Sequence, residues 1–186
     1  GSDGYVSIEV SPGVANDSHS SVEEAIRLWK TVDRPNVMVK IPGTEQGALA
    51  VRDLTGRGIN VNITLLFSLE AHARVIDAYM SGLEDRVGRG EPIDGIFSVA
   101  SFFVSRVDTE VDKRLDAMIK NAKADDADRL QLLKGRAAIA NAKLAYRLFT
   151  EKFAAPRWKA LADKGGRVQQ PLWASTATAI SPTAGS

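Results

Sequence analysis

Lys40 is the residue whose setting points most directly to chemistry. It lies in Val37-Met-Val-Lys-Ile-Pro42, among apolar neighbours, on a run that reads as a central strand. Burying an ammonium group there is costly unless it is paired or its pKa drops. A desolvated amine with a lowered pKa is what Schiff-base formation needs, because only the neutral form attacks a carbonyl. The same position equally suits a lysine that snorkels from a strand end or pairs with Glu9. Glu9 itself, near the end of Tyr5-Val-Ser-Ile-Glu-Val10, reads either as a proton shuttle acting through water or as that partner charge. Asn62 and Thr64 share one side of the run Ile59 to Leu66. They can hold a carbinolamine hydroxyl and a water, or satisfy backbone and cap the next helix. Ser101 and Ser175 fall at or just beyond two further strand ends. Arg106 follows Ser-Phe-Phe-Val-Ser105 and suits a phosphate, or is an exposed first-turn arginine. His19 and His72 read as solvated, and Trp29, Trp158 and Trp173 as packing aromatics.

The elements that would position these residues follow from periodicity. Val6, Ile8 and Val10 alternate with Tyr5, Ser7 and Glu9, as in a strand. Ser20 to Glu23 forms a capping box ahead of Val22, Ala25, Ile26 and Trp29 on one helical face. A strand over about 36–41 stops at Pro42-Gly43, and Thr44 caps a helix over about 45–57 with Ala48, Val51 and Leu54 inward. A third strand spans 59–66. Ser68 then caps a helix striped by Leu69, Ala73, Ile76, Met80 and Leu83. A fourth strand runs from about Ile96 to Phe103 and is followed by a helix bearing Val107, Val111, Leu115 and Met118. A charged break over 122–128 leads to one long helix over about 126–153, with Leu130, Leu133, Ala137, Ala140, Leu144 and Leu148 inward. Pro156-Arg-Trp158 opens another turn or two, and the last strand covers 168–174.

Strand–helix alternation without hairpin signals reads as right-handed βαβ crossovers on a parallel sheet. Neither a dinucleotide glycine fingerprint nor a Walker phosphate loop is present, which favours a barrel over a doubly wound sheet. In such folds functional residues gather at the carboxyl ends of strands, where Glu9, Lys40, Asn62, Thr64, Ser101 and Ser175 fall. Alternation puts them on one common face if the other face packs on helices.

Composition narrows the class. The 186 residues are 44% hydrophobic and 25% charged, the balance of a globular domain. Lys+Arg and Asp+Glu number 24 and 23, which gives no electrostatic case for nucleic acid or an acidic membrane. No cysteine is present, so thiolate, disulfide and iron–sulfur chemistry are excluded, and two histidines do not make a His-rich zinc site. No segment approaches the ~20 apolar residues of a membrane span, and no signal peptide is visible. The expected location is the cytoplasm. Gly1-Ser2 and Gly185-Ser186 read as remnants of cloning.

Five stretches together resemble transaldolase: Asp3-Gly-Tyr-Val-Ser-Ile-Glu-Val10, Val37-Met-Val-Lys-Ile-Pro42, Gly58-Ile-Asn-Val-Asn-Ile-Thr-Leu-Leu-Phe-Ser68, Ser98-Val-Ala-Ser-Phe-Phe-Val-Ser-Arg-Val-Asp108 and Leu172-Trp-Ala-Ser-Thr176. The resemblance implies an α/β fold of the (β/α)8 TIM-barrel type and a class I aldol mechanism that needs no metal and no cofactor. It makes Lys40 the Schiff-base lysine, Glu9 the acid/base and Thr64 the residue near the catalytic water. Asn62 is then the ligand of substrate or imine hydroxyls, Ser101 and Ser175 line the pocket, and Arg106 binds the substrate phosphate. The implied reaction belongs to the pentose phosphate pathway of carbohydrate metabolism. It transfers a dihydroxyacetone unit from sedoheptulose 7-phosphate or fructose 6-phosphate to glyceraldehyde 3-phosphate or erythrose 4-phosphate.

The family barrel begins with two further βα units, the first bearing a catalytic aspartate, and these have no counterpart before Asp3. Where relatives carry a second basic phosphate ligand, Ala177 and Ala179 stand here. The chain is therefore expected to be a partial barrel of about five parallel strands over 3–178, with 1–2 and 179–186 as tails. Imine formation is expected of it, whereas a full cycle calls on the missing aspartate. Open strand edges and an apolar inner face would favour self-association. Two other readings fit the residues: a fructose 6-phosphate aldolase that releases free dihydroxyacetone, and a non-catalytic half-barrel that self-associates.

Overall fold

A computed structural model describes residues 4–177. The calls on Asp3, on the tails and on Ala179 lie outside the described residues. Strand β1 (Val6–Glu9) leads through a short 3-10 turn into α1 (Ser18–Val32). Then follow β2 (Val37–Pro42), α2 (Glu45–Gly56), β3 (Val61–Leu66), α3 (Leu69–Gly88) and β4 (Ser98–Phe103). Four helices, α4 (Ser105–Ile119), α5 (Ala124–Gln131), α6 (Ala137–Ala154) and α7 (Pro156–Ala162), precede β5 (Gln170–Ala174). The five strands are parallel and stand in sequence order, β1-β2-β3-β4-β5. An order that never reverses places every right-handed crossover on the same side. This is the winding of a barrel segment, as the missing nucleotide fingerprints implied.

The side that meets the helices holds the core. Val39, Ile41, Val61, Ile63, Leu66, Ala100 and Phe102 from the strands pack on Ala50, Val51 and Leu54 of α2 and on Val75, Ile76, Tyr79 and Leu83 of α3. Helices α2 and α3 approach closely because Gly82 has no side chain: a Cβ there would come within 2.6 Å of Thr55. The opposite side is concave. Tyr5, just before β1, and Phe97, just before β4, meet with ring centroids 5.0 Å apart, and the Arg167 guanidinium lies 4.4 Å from the Phe97 centroid. Strands in a flat sheet stand about 4.8 Å apart, so a flat sheet would hold β1 and β4 three spacings apart. The contact therefore requires strong curling, and it closes the amino-terminal end of the hollow.

Helix caps agree with the sequence at two of three positions. Thr44 Oγ1 accepts from the Gly47 N–H, and Ser68 Oγ from the Ala71 N–H. The first helix begins earlier than the Ser20 capping box implied: Asp17 is its cap, accepting from the His19 and Ser20 N–H groups. A carboxylate that can serve two amides outcompetes the downstream hydroxyl, and Ser20 Oγ donates to it instead.

The long helix expected over 126–153 is broken into α5 and α6. Gly135 takes a left-handed φ of 71°, and its N–H donates to Asp112 of α4 at 3.0 Å. The break rotates the face. Ala138 and Ala145 are buried, whereas Leu133 and Leu144, expected inward, are exposed, as is Met118. No helix among the described residues is long and apolar enough to cross a membrane.

His72, read as solvated, is instead fully buried on α3, its ring 5.6 Å from Phe102. The apolar contact of α3 is broader than its Leu69–Leu83 stripe and wraps far enough to include His72. Neither ring nitrogen has a hydrogen-bond partner among the described residues. Burial lowers its pKa from 6.5 to about 4. The unfolded chain therefore takes up a proton here near pH 6.5 that the folded chain accepts only near pH 4. Stability from this site is full above pH 6.5 and declines as pH falls toward 4, by up to about 3 kcal/mol. We predict that His72→Leu flattens the acid side of the stability–pH profile. Urea unfolding at pH 7 and pH 4.5 measures it, and an equal slope in both proteins would refute it.

Candidate active site

Parallel register places the polar residues side by side. Glu9 pairs in register with Lys40, and Lys40 with Asn62. Pro42 pairs with Thr64. Registered partners on parallel strands point to the same side, so these residues share the concave face, opposite Val39, Ile41, Val61 and Ile63. Lys40 Nζ donates to Glu9 Oε2 at 3.0 Å. The two side chains are 28% and 46% exposed, so the pair opens to solvent at the carboxyl mouth of the strands. Pairs this exposed contribute about 0–1 kcal/mol to stability. Folding therefore does not depend on this pair, and its significance lies in where it puts an amine and a proton acceptor.

Asn62 is held from both sides. Ser101 Oγ donates to its Oδ1 at 2.8 Å, and its Nδ2 donates to Ser7 Oγ at 3.0 Å. Asn62, Ser101 and Thr64 are all buried. Thr64 precedes an irregularity: the register to β4 shifts between Ile63 and Leu66, and Leu65 takes a φ of 60°. A branched side chain in that region signals strain or a local requirement. The bulge turns Leu65 out toward solvent and returns Leu66 to the core. The Thr64 carbonyl accepts from the Gly43 N–H at 2.8 Å, tying the end of β3 to the end of β2.

Arg106 and Ser175 stand apart from this group. The Arg106 guanidinium lies 4.9 Å from the Phe103 ring centroid. Phe103 continues the inward series of Val99 and Ser101, so Arg106 overhangs the mouth. It is exposed and has no ion-pair partner among the described residues. Ser175 lies one residue beyond β5 with a φ of 54°. Its hydroxyl is 2.8 Å from that of Ser105, and its carbonyl accepts from the Ser105 N–H at 2.7 Å. It is thus bound to the start of α4, beside Arg106, and not among the Lys40 group with which it was expected to share a face. Ala174 registers with Phe103 on the concave side, so alternation along β5 carries Ser175 away from that face.

Two residues carry roles that sequence reasoning did not assign. Ser7 binds Asn62; its one signal was its place two residues before Glu9 on the same strand side. Asn60 shares a strand side with Asn62 yet serves the framework. Its Oδ1 accepts from the Phe97 N–H at 2.9 Å, and its Nδ2 lies 3.3 Å from the Pro35 and Val37 carbonyls. It joins β2, β3 and the approach to β4 at the closed end of the hollow.

A singly wound parallel sheet with a lysine–carboxylate pair and a fixed carboxamide at its carboxyl mouth defines a class of fold: a segment of a (β/α) barrel with a polar mouth. Comparison with known proteins narrows the class. The family model described as "Transaldolase/Fructose-6-phosphate aldolase" matches residues 1–179, and the chain belongs to that family. It is 52% identical over 176 residues to "Transaldolase" of Saccharopolyspora erythraea, covering 95% of this chain and 46% of that protein. It is 54% identical over 176 residues to "Transaldolase 1" of Streptomyces avermitilis, covering 95% and 45%. With "Transaldolase" of Trichodesmium erythraeum it shares 48% over 179 residues, covering 96% and 47%. The chain thus spans about half the length of the curated relatives it matches.

The two asparagines should separate on substitution. Asn60→Ala strands the Phe97 amide and should lower stability by about 2 kcal/mol. Asn62→Ala, at the open end, leaves two serine hydroxyls free to take other partners and should cost clearly less. Denaturant midpoints read both effects, and equal stability losses would contradict the division.

Proposed function

We propose that this chain carries the Schiff-base centre of a transaldolase, with Lys40 as nucleophile, Glu9 as acid/base and Thr64 beside the catalytic water. The observation that carries the reading is the Lys40–Glu9 contact of 3.0 Å at the sheet's mouth. Glu9 takes a proton from the Lys40 ammonium and leaves a free amine, which attacks C2 of a ketose phosphate. The carbinolamine hydroxyl departs as water with a proton returned from Glu9, and a protonated imine remains. In the whole transaldolase that imine draws electrons as the C3–C4 bond breaks, while the C4 hydroxyl gives its proton to a base, the aspartate that the resemblance places on a preceding βα unit. An aldose phosphate leaves, and a three-carbon dihydroxyacetone unit stays on Lys40 as an enamine until an acceptor aldose phosphate takes it. Asn62 holds a substrate hydroxyl with Ser101 behind it. Arg106 at the rim suits the phosphate, with Ser175 beside it at the start of α4. Sedoheptulose 7-phosphate and fructose 6-phosphate are the proposed donors; glyceraldehyde 3-phosphate and erythrose 4-phosphate are the proposed acceptors. The proposed domain is 3–178 and the proposed location the cytoplasm.

Two edges bear on partners. Strands β1 and β5 each pair on one side only within this sheet. Leu172 of β5 is exposed on the concave face, and on the other face Trp173 lines an apolar groove with Ile139 and Tyr146 of α6. We propose that the chain self-associates through these edges. Much of the exposed apolar surface lies on α6 and the turn before it, at Leu132, Leu133, Ile139, Leu144 and Tyr146, and less on the inner face than the sequence suggested.

Borohydride reduction in the presence of fructose 6-phosphate should add a stable mass that peptide mapping places on Lys40, and Lys40→Arg should remove it. Absence of the adduct, where an intact relative forms one, would show that the pocket is not assembled in this chain. Light scattering at micromolar concentration should give a mass of two chains or more. A compact monomer at all concentrations would refute self-association.

A further inference from the structure

We propose that Ser7 is a positioning residue for the Lys40 centre, acting through Asn62; the inference rests on the Schiff-base reading above. Strands β1 and β3 are not neighbours, since β2 lies between them. The bond from Asn62 Nδ2 to Ser7 Oγ, 3.0 Å long, therefore arches across β2 on the concave face. Ser7 registers with Met38, and Lys40 with Asn62, so the arch passes over β2 between Met38 and Lys40. Met38 points to the concave face and yet is only 4% exposed, as expected of a side chain roofed by such a bridge.

The hydrogen bonds also determine how the carboxamide faces. Ser101 Oγ donates to Asn62 Oδ1, so the amide nitrogen must face Ser7. A carboxamide nitrogen has two N–H groups, and Ser7 accepts one of them. The second is left for the Lys40 side, where a carbinolamine or imine hydroxyl would sit. Without the Ser7 oxygen, one N–H has no fixed partner and the amide pivots about its bond to Ser101. Ser7 also links β1 to β3 two residues from Glu9, so it helps set the spacing between Glu9 and Lys40. Its hydroxyl need not touch substrate for either effect.

The test compares Ser7→Ala and Ser7→Thr with the unaltered chain. Borohydride trapping rates are measured against fructose 6-phosphate concentration, and the Asn62 side-chain amide signals are followed by NMR. Ser7→Ala should lower the saturating trapping rate about tenfold, the scale of one well-placed hydrogen bond, with a much smaller change in the half-saturating concentration. Ser7→Thr, which restores the hydroxyl, should recover most of the rate. The Asn62 amide signals should shift in Ser7→Ala and return in Ser7→Thr. A Ser7→Ala rate equal to the unaltered chain's would overturn the proposal, as would equal losses in both variants. If the unaltered chain forms no adduct, the Schiff-base reading fails on its own. The amide signals then decide the positioning role, and unchanged signals in Ser7→Ala would overturn it.

Discussion

The alignment of Glu9, Lys40 and Asn62 across three adjacent parallel strands is the constraint on which everything else rests. Parallel pairing sets these residues abreast, and one slip of register would move any of them to the helix-packed face. Burial of Val39, Ile41, Val61 and Ile63 against α2 and α3 forbids that slip. The apolar side of the sheet thus fixes the position of the polar side. No strong interaction among the polar groups is required, which fits a Lys40–Glu9 pair too exposed to contribute much to folding.

Curling converts this row into a site. On a flat sheet Ser7 and Asn62 would stand two strand spacings apart. Here they share a hydrogen bond, and Tyr5 reaches Phe97 across two intervening strands. Curvature thereby gathers side chains from β1 to β4 into one hollow without any loop folding over them. Asn60 at the closed end and Asn62 toward the mouth divide the labour on a single strand face: one satisfies backbone groups, the other keeps an N–H free.

Much of this was legible in the residues. The period-2 pattern of Val61, Ile63 and their polar alternates placed Asn62 and Thr64 on the face opposite the helices. Thr44 and Ser68 announced the helices they cap. Local signals failed where a distant group decided the outcome. Asp112, far along the chain from Gly135, stabilises the turn that splits α5 from α6. Ser175 stands apart from the Lys40 group because Leu172 and Ala174 are the concave residues of β5, and only the register with β4 reveals which side is which. His72 lies outside the apolar stripe of α3 that the periodicity picks out, while Phe102 on β4 in fact covers it. The bridge between Ser7 and Asn62 spans 55 residues and depends on curvature, which no window of sequence displays.

The stack of Tyr5, Phe97 and Arg167 has a further consequence for traffic. It stoppers one end of the hollow with two rings and a guanidinium. Along the barrel axis the hollow is a cup and not a pipe. A small molecule cannot pass along the axis through that end; it reaches Lys40 and Asn62 from the rim that Arg106 overhangs or from the open side between β1 and β5.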